Sequence, residues 1–228
     1  LKKSKPPAAT KAGLVMVKVF PKTENQKRVL VNYAKGKHLV IHGLAGTGKT
    51  FLACYLGMTS LLAKEQERII IYRSAVPTRD MGFMPGSAAE KSAPYEVPYK
   101  YVFAELFERA DAYEILKARF TVEFSTSSYL RGLTLRDSVV IVDEMQNWSW
   151  HELDSMITRA GEDTRFIFCG DFRQSDLKSD HEREGLEKFM RVISDISSFA
   201  MVEMKSDDIV RSALVRDYIL AKDKQGTT

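Results

Sequence analysis

Apolar residues along this chain fall by turns into helical spacing and into short unbroken runs, and that alternation predicts an ordered series of elements. A helix is expected over 24–36, a strand over 38–42, and a second helix over 49–64, where Phe51, Leu52, Tyr55, Leu56 and Met58 or Thr59 recur on one face. A strand over 68–72 follows. Between Ser74 and Pro98 the periodicity vanishes and Gly and Pro punctuate the chain, so a long ordered loop with functional content is expected there. Helical spacing resumes over 99–119. Strands are predicted at 121–125, 138–142, 165–170 and 199–204, and helices at 150–160, 182–194 and 209–222.

Near-continuous apolar strands such as Val139-Val140-Ile141-Val142, alternating with helices, indicate a parallel sheet covered on both faces. The fold class expected is α/β, a three-layer sandwich around a mainly parallel sheet. A length of 228 residues with 44% hydrophobic content suits one well-buried domain. We divide it into a basic arm or linker at 1–21, an organised domain at 22–222 and a tail at 223–228.

Charge changes this picture at one end. Residues 1–37 carry ten Lys and Arg against the single acid Glu24, whereas the remainder is net acidic, within an overall charge of +4. Such a leader could neutralise nucleic-acid phosphates, or it could be a solvated arm. Cys54 and Cys169 stand far apart and in no metal-like spacing, as buried thiols in a reducing compartment would. The longest apolar stretch, 51–63, is too short to span a bilayer. Leu1-Lys2-Lys3-Ser4-Lys5-Pro6-Pro7 is followed by no signal-peptide apolar core, so no membrane association and a cytoplasmic location are expected.

The candidate chemistry centres on Gly43-Leu44-Ala45-Gly46-Thr47-Gly48-Lys49-Thr50, set between a predicted strand and a predicted helix. Backbone amides, positive charge and a metal ligand are what a triphosphate needs at close range, and this segment holds all three. Gly43, Gly46 and Gly48 would let the backbone approach the phosphates, with Ala45 and Thr47 between them. Lys49 would reach the β- and γ-phosphates, and Thr50 would place its hydroxyl on Mg²⁺. Phe51, next along, completes the expected nucleotide contacts.

The strand 138–142 ends in Asp143-Glu144, at the edge of a parallel sheet where ligands bind. Acidic pairs often simply end strands, but downstream of a phosphate loop the pair acquires meaning. Asp143 would hold Mg²⁺, and Glu144 would orient and help deprotonate water, which points to ATP hydrolysis.

These segments resemble the PhoH-like ATPase family, whose core resembles the first RecA-like domain of superfamily 1 helicases. The resemblance covers roughly residues 22–222. Beyond the phosphate loop it rests on Thr23-Glu24-Asn25-Gln26, Arg73-Ser74-Ala75-Val76, Met81-Gly82-Phe83-Met84-Pro85-Gly86, Tyr129-Leu130-Arg131-Gly132, Asp143-Glu144-Met145-Gln146-Asn147, Thr158-Arg159 and Gly170-Asp171-Phe172-Arg173-Gln174. It implies a RecA-like P-loop NTPase fold and an ATPase, with RNA helicase activity as its extension. It also implies that Gln26 reads the adenine edge and that Gln174 senses the γ-phosphate. Among Arg131, Arg159, Arg211 and Arg216, it favours Arg159 or Arg211 as the transition-state arginine; the role of Arg73 stays open. Ser74 stands where the family usually has proline, Met145 where alanine is common, and Phe172-Arg173 replaces a smaller pair.

With no long N-terminal domain in the sequence, no RNA-binding or nuclease module is expected. A translocating ATPase usually pairs two RecA-like domains, so this resemblance implies a homo-oligomer, with a ring as the expected form and an arginine donated across the interface. Single-stranded nucleic acid is the expected partner, RNA favoured over DNA. The alternative is a module whose nucleotide state gates a protein partner. Arg79, Lys91, Tyr95, Tyr99 and Lys100 interleave basic and aromatic groups as a single-strand groove would, or they pack the 74–98 loop onto the sheet.

Overall fold

The computed structural model describes residues 13–74, 88–127, 134–172 and 180–225, with backbone alone considered at 88–91 and 180–183. Among them, a six-stranded sheet runs β3-β2-β4-β5-β1-β6, every neighbour pair parallel. Its strands are β1 (His38–Gly43), β2 (Arg68–Arg73), β3 (Val122–Thr126), β4 (Ser138–Asp143), β5 (Arg165–Gly170) and β6 (Phe199–Met204). The helices are α1 (Glu24–Ala34), α2 (Lys49–Leu62), α3 (Ala88–Phe107), α4 (Ala112–Ala118), α5 (Trp150–Ile157), α6 (Asp180–Ser194) and α7 (Ala213–Lys224).

Each central strand is apolar on both sides because each side meets a different helical layer. Leu39, Ile41, Ile69, Ile71, Val139 and Ile141 pack with α1, α2, α3 and α4 in one cluster. Their alternates Val40, Ile70, Tyr72, Val140 and Val142 pack with α5 and α6 in another. The two-residue period of a strand delivers successive side chains to opposite layers, and full burial of each branched residue stabilises the fold by roughly 1.5–3 kcal/mol. The expected three-layer α/β architecture is therefore the one observed.

Two expectations are corrected. Much of the stretch expected as a loop from 74 to 98 is helical, since α3 begins at Ala88 and contains Pro94 and Pro98. Proline lacks an N–H and usually ends a helix, but here Glu96, Tyr99, Phe103, Leu106 and Phe107 fall at helical spacing and are buried. That apolar face outweighs the lost hydrogen bonds. The single helix expected over 99–119 is instead split after Phe107, where Glu108 takes φ 48° and the chain turns before α4. Within the stretch read as an arm, Leu14 and Met16 join the core, and the amide of Val17 donates to the carbonyl of Leu106 at 2.8 Å.

Helix starts follow local chemistry. Thr23 caps α1, its hydroxyl accepting from the Gln26 amide at 3.3 Å. Ser149 and Glu152 form a reciprocal capping box at α5. No helix among the described residues is long and apolar enough to cross a membrane.

Candidate functional site: a cleft over the phosphate loop

At the C-terminal ends of β1, β2 and β4 lies a cleft of about 730 Å³ that gathers Gly46, Lys49, Thr50, Asp143, Glu144 and Asp171. The loop between β1 and α2 shapes its floor. Gly46 (φ 73°) and Gly48 (φ 86°) take left-handed conformations, and Gly48 turns the chain directly into α2. Gly43, at φ 113°, has a different reason to be glycine: a Cβ there would stand 2.2 Å from the Met204 carbonyl oxygen. It serves the packing of β1 on β6.

The ammonium of Lys49 donates to the carbonyls of Gly43 (2.7 Å) and Leu44 (2.8 Å). Burial pulls its pKa below the usual lysine range, with Asp171 opposing. Thr47 is turned inward: its hydroxyl donates to the Leu44 carbonyl at 2.8 Å, and it does not line the cleft. Ala45 and Phe51 do line it.

The Thr50 hydroxyl lies 3.0 Å from Oδ1 and 3.2 Å from Oδ2 of Asp143. Burial, then the charge of Glu144, hold the Asp143 carboxyl above its usual range, while Tyr99, Arg73 and Thr50 oppose this. A hydroxyl and a carboxylate so close together, facing a cleft beside a lysine, form a hard-oxygen donor pair. Mg²⁺ prefers one or two such protein ligands, with phosphate and water completing its octahedron. The residues present fit that ion.

Glu144 adopts φ 51°, ψ 45°, a left-handed conformation that costs a non-glycine residue about 1–3 kcal/mol. The 3-10 turn Met145–Asn147 follows it, and the Trp148 indole N–H donates to the Asp143 carbonyl at 3.2 Å. Gln146 bridges the two sides of the cleft: its Nε2 donates to Glu144 Oε2 at 2.6 Å, and its Oε1 accepts from the Asp171 amide at 3.0 Å. This bridge joins β4 to β5.

Gln26 is buried, and its amide bonds within the fold. Nε2 donates to the Thr47 carbonyl at 3.1 Å, and Oε1 accepts from the Lys22 amide at 2.8 Å. It lines the cleft, yet its bonds pin α1 to the phosphate loop. Asp208 fastens the same segment from the other side, accepting from the hydroxyl of Thr23, from Asn25 Nδ2 at 2.8 Å and from the Lys205 amide at 2.7 Å. Sequence reasoning assigned no role to Tyr99, Gln146 or Asp208 here. Tyr99 is fully buried and donates to Asp143 Oδ2 at 2.9 Å, so it cannot stack on a base; Lys100 pairs with Glu114 at 2.6 Å.

The candidate arginines separate. Arg211 lines the cleft, its side chain 3.0 Å from where a Cβ on Gly46 would stand. Arg159 is not among the cleft residues. Its carbonyl accepts from the Leu135 amide at 2.9 Å, ahead of the start of β4 and away from the phosphate loop. Arg216 lies exposed on α7. Arg73 lines the cleft and sits 3.9 Å from Glu144 Oε1. Gln174, Arg131 and Arg79, and the side chain of Lys91, lie outside the described residues.

The family model described as PhoH-like protein matches residues 18–223. The chain belongs to the PhoH-like family. Among curated members, it is 32% identical to the PhoH-like protein of Synechocystis over 97% of this chain and 66% of that protein. It is 34% identical to that of Bacillus subtilis, over 90% and 64%, and 31% identical to Protein PhoH of Escherichia coli K12, over 86% and 56%. The chain thus spans between about half and two thirds of the length of these relatives. Among solved structures, the large terminase of a thermophilic bacteriophage aligns with TM-score 0.53 at 12% identity, over 87% of this chain and 48% of that one. A second crystal form of it gives 0.52 at 11%, over 87% and 50%. At such identity the likeness is one of fold.

Proposed function

We propose that this chain binds ATP with Mg²⁺ in the cleft, hydrolyses it, and couples the cycle to single-stranded nucleic acid, RNA over DNA. The observation that carries the reading is the meeting of Thr50 and Asp143 at 3.0 Å beside Lys49 and Glu144. Lys49 exchanges its carbonyl partners for the β- and γ-phosphates, and the amides at the start of α2 cradle the anion. Thr50 and Asp143 would hold Mg²⁺, which would supply positive charge to the phosphates. Glu144, its carboxylate oriented by Gln146, aligns water for attack and accepts its proton. Gln174 senses the γ-phosphate, and Arg211 stabilises the transition state from within the same chain.

In this reading a second copy of the domain forms the other wall of the nucleic-acid path, in a homo-oligomer in the form of a ring. A second reading, a nucleotide-gated protein-interaction module, draws support from α7, where Leu214 and Tyr218 are exposed at 80% and 67% on a helix whose Ile219 packs toward Gly46 of the phosphate loop. Phosphate release should be measured on the purified assembly, of known mass, with and without single-stranded RNA or DNA. Stimulation that falls with added salt supports the first reading. Hydrolysis indifferent to both nucleic acids overturns it in favour of the second.

A further inference from the structure

The ring of Tyr99 packs wholly inside the protein, tilted against Phe124 at a centroid distance of 5.5 Å. Its hydroxyl, however, is directed at the proposed metal carboxylate, donating to Asp143 Oδ2 at 2.9 Å. The charge of Arg73 is near enough to act on the same hydroxyl, opposing the effect of its burial. Arg73 and Asp143 are register partners at the ends of β2 and β4, adjacent strands that bring both side chains to one edge of the sheet. That register sets a guanidinium beside a carboxylate, a pairing that arginine favours. Arg73 nevertheless approaches Glu144, at 3.9 Å, while Oδ2 of Asp143 is taken by the Tyr99 hydroxyl at 2.9 Å.

This arrangement matters because a guanidinium seated on Asp143 would compete with a divalent cation for the same oxygens. With Oδ2 bonded to Tyr99, Oδ1 is the oxygen nearer the Thr50 hydroxyl, at 3.0 Å against 3.2 Å. The guanidinium keeps its charge close, 3.9 Å from Glu144 Oε1.

From this geometry we infer that Tyr99 is a positioning residue for the metal site: its hydroxyl turns Asp143 toward the cleft and keeps Arg73 from capping the carboxylate. The inference rests on the reading of Thr50 and Asp143 as magnesium ligands. It adds a residue that touches neither nucleotide nor metal, carried by α3 on the far side of Asp143. Hydrogen bonds behind a metal ligand typically tune affinity by about 10–100-fold.

The test uses Mn²⁺ as probe, followed by electron paramagnetic resonance on the full chain loaded with ADP. Tyr99→Phe removes one buried oxygen and keeps the ring. It should weaken Mn²⁺ binding about 10-fold, while ADP affinity in the presence of chelator and the metal-free melting temperature stay near the parent's. Adding Arg73→Met to Tyr99→Phe should recover most of the loss, because the competing cation is gone. Arg73→Met alone should not weaken Mn²⁺ binding. Parental Mn²⁺ affinity in Tyr99→Phe overturns the inference, and so does a loss that the double variant fails to recover. If Tyr99→Phe does not fold, a weakened Mn²⁺ affinity in Arg73→Met alone overturns it. A parent that binds no ADP would instead overturn the nucleotide reading, which keeps the two failures distinct.

Discussion

Thr50 and Asp143 stand 93 residues apart in sequence, yet the hydroxyl of one lies 3.0 Å from the carboxylate of the other. The contact exists because α2 starts at the C-terminal end of β1 while Asp143 ends β4, and β5 between those strands sets their separation.

Glu144→Gln should separate binding from chemistry. ATP affinity is expected within about 3-fold of the parent, while phosphate release slows by at least ~100-fold, the usual worth of a general base. Gln146 can still bond the replacement amide, so the turn should persist. Equilibrium binding of ATP beside a phosphate-release assay checks this, and turnover at the parental rate removes Glu144 from its role.

Arg211 should act within its own subunit. Mixing Lys49→Ala subunits with Arg211→Ala subunits should yield no more hydrolysis than the two preparations give separately, because neither cleft holds both residues. Recovery of activity on mixing would show that the arginine works across an interface.

Gly43→Ala should be costly for a reason unrelated to nucleotide. The new methyl meets the Met204 carbonyl at 2.2 Å on a backbone at φ 113°, so a loss of about 2–4 kcal/mol is expected in urea unfolding. Gly36→Ala is the control: its φ is 84°, but nothing lies within 4 Å, and only about 1–2 kcal/mol should be lost. Equal effects would mean that backbone conformation alone sets the cost.

Stability should fall on the acid side of neutrality through His38. Its Nδ1 accepts from the Phe166 amide at 3.1 Å, and burial, then Arg165, hold its pKa below the usual value. The unfolded chain therefore binds a proton at about pH 6.5 that the folded chain refuses. The contribution is fully present above that pH and is lost as pH falls through it toward the folded value. His38→Asn keeps an acceptor that cannot titrate and should flatten the decline in melting temperature from about pH 7.5 to about pH 5.5. His42, also lowered by burial, should keep it from vanishing. An unchanged decline would rule out His38 as its source.

The strands and the phosphate loop were legible because their evidence is local: short apolar runs, and glycines at fixed spacing before Lys49. The helix α3 was not, because Pro94 and Pro98 read as breakers while the buried face that overrides them depends on partners far along the chain. The break after Phe107 rests on Glu108 in a conformation that favours glycine, which no residue type announced. Tyr99, Gln146 and Asp208 were missed for a related reason. Each is an ordinary polar residue until the sheet register and the ends of β5 and β6 bring its partner within reach. Gln26 shows the reverse limit: its place beside the cleft could be anticipated, but not that its amide is engaged by Thr47 and Lys22.

The phosphate loop is stitched at two points to the chain beside it, the Leu44 amide to the Met204 carbonyl at the end of β6 at 3.0 Å and the Val210 amide, beyond that strand, to the Gly46 carbonyl at 3.1 Å. Just past the second stitch the chain enters α7, a helix with no buried residue of its own. Ile219 of that helix comes 3.3 Å from where a Cβ on Gly46 would stand, so the helix is fastened to the loop through a side chain as well as through the chain that leads into it.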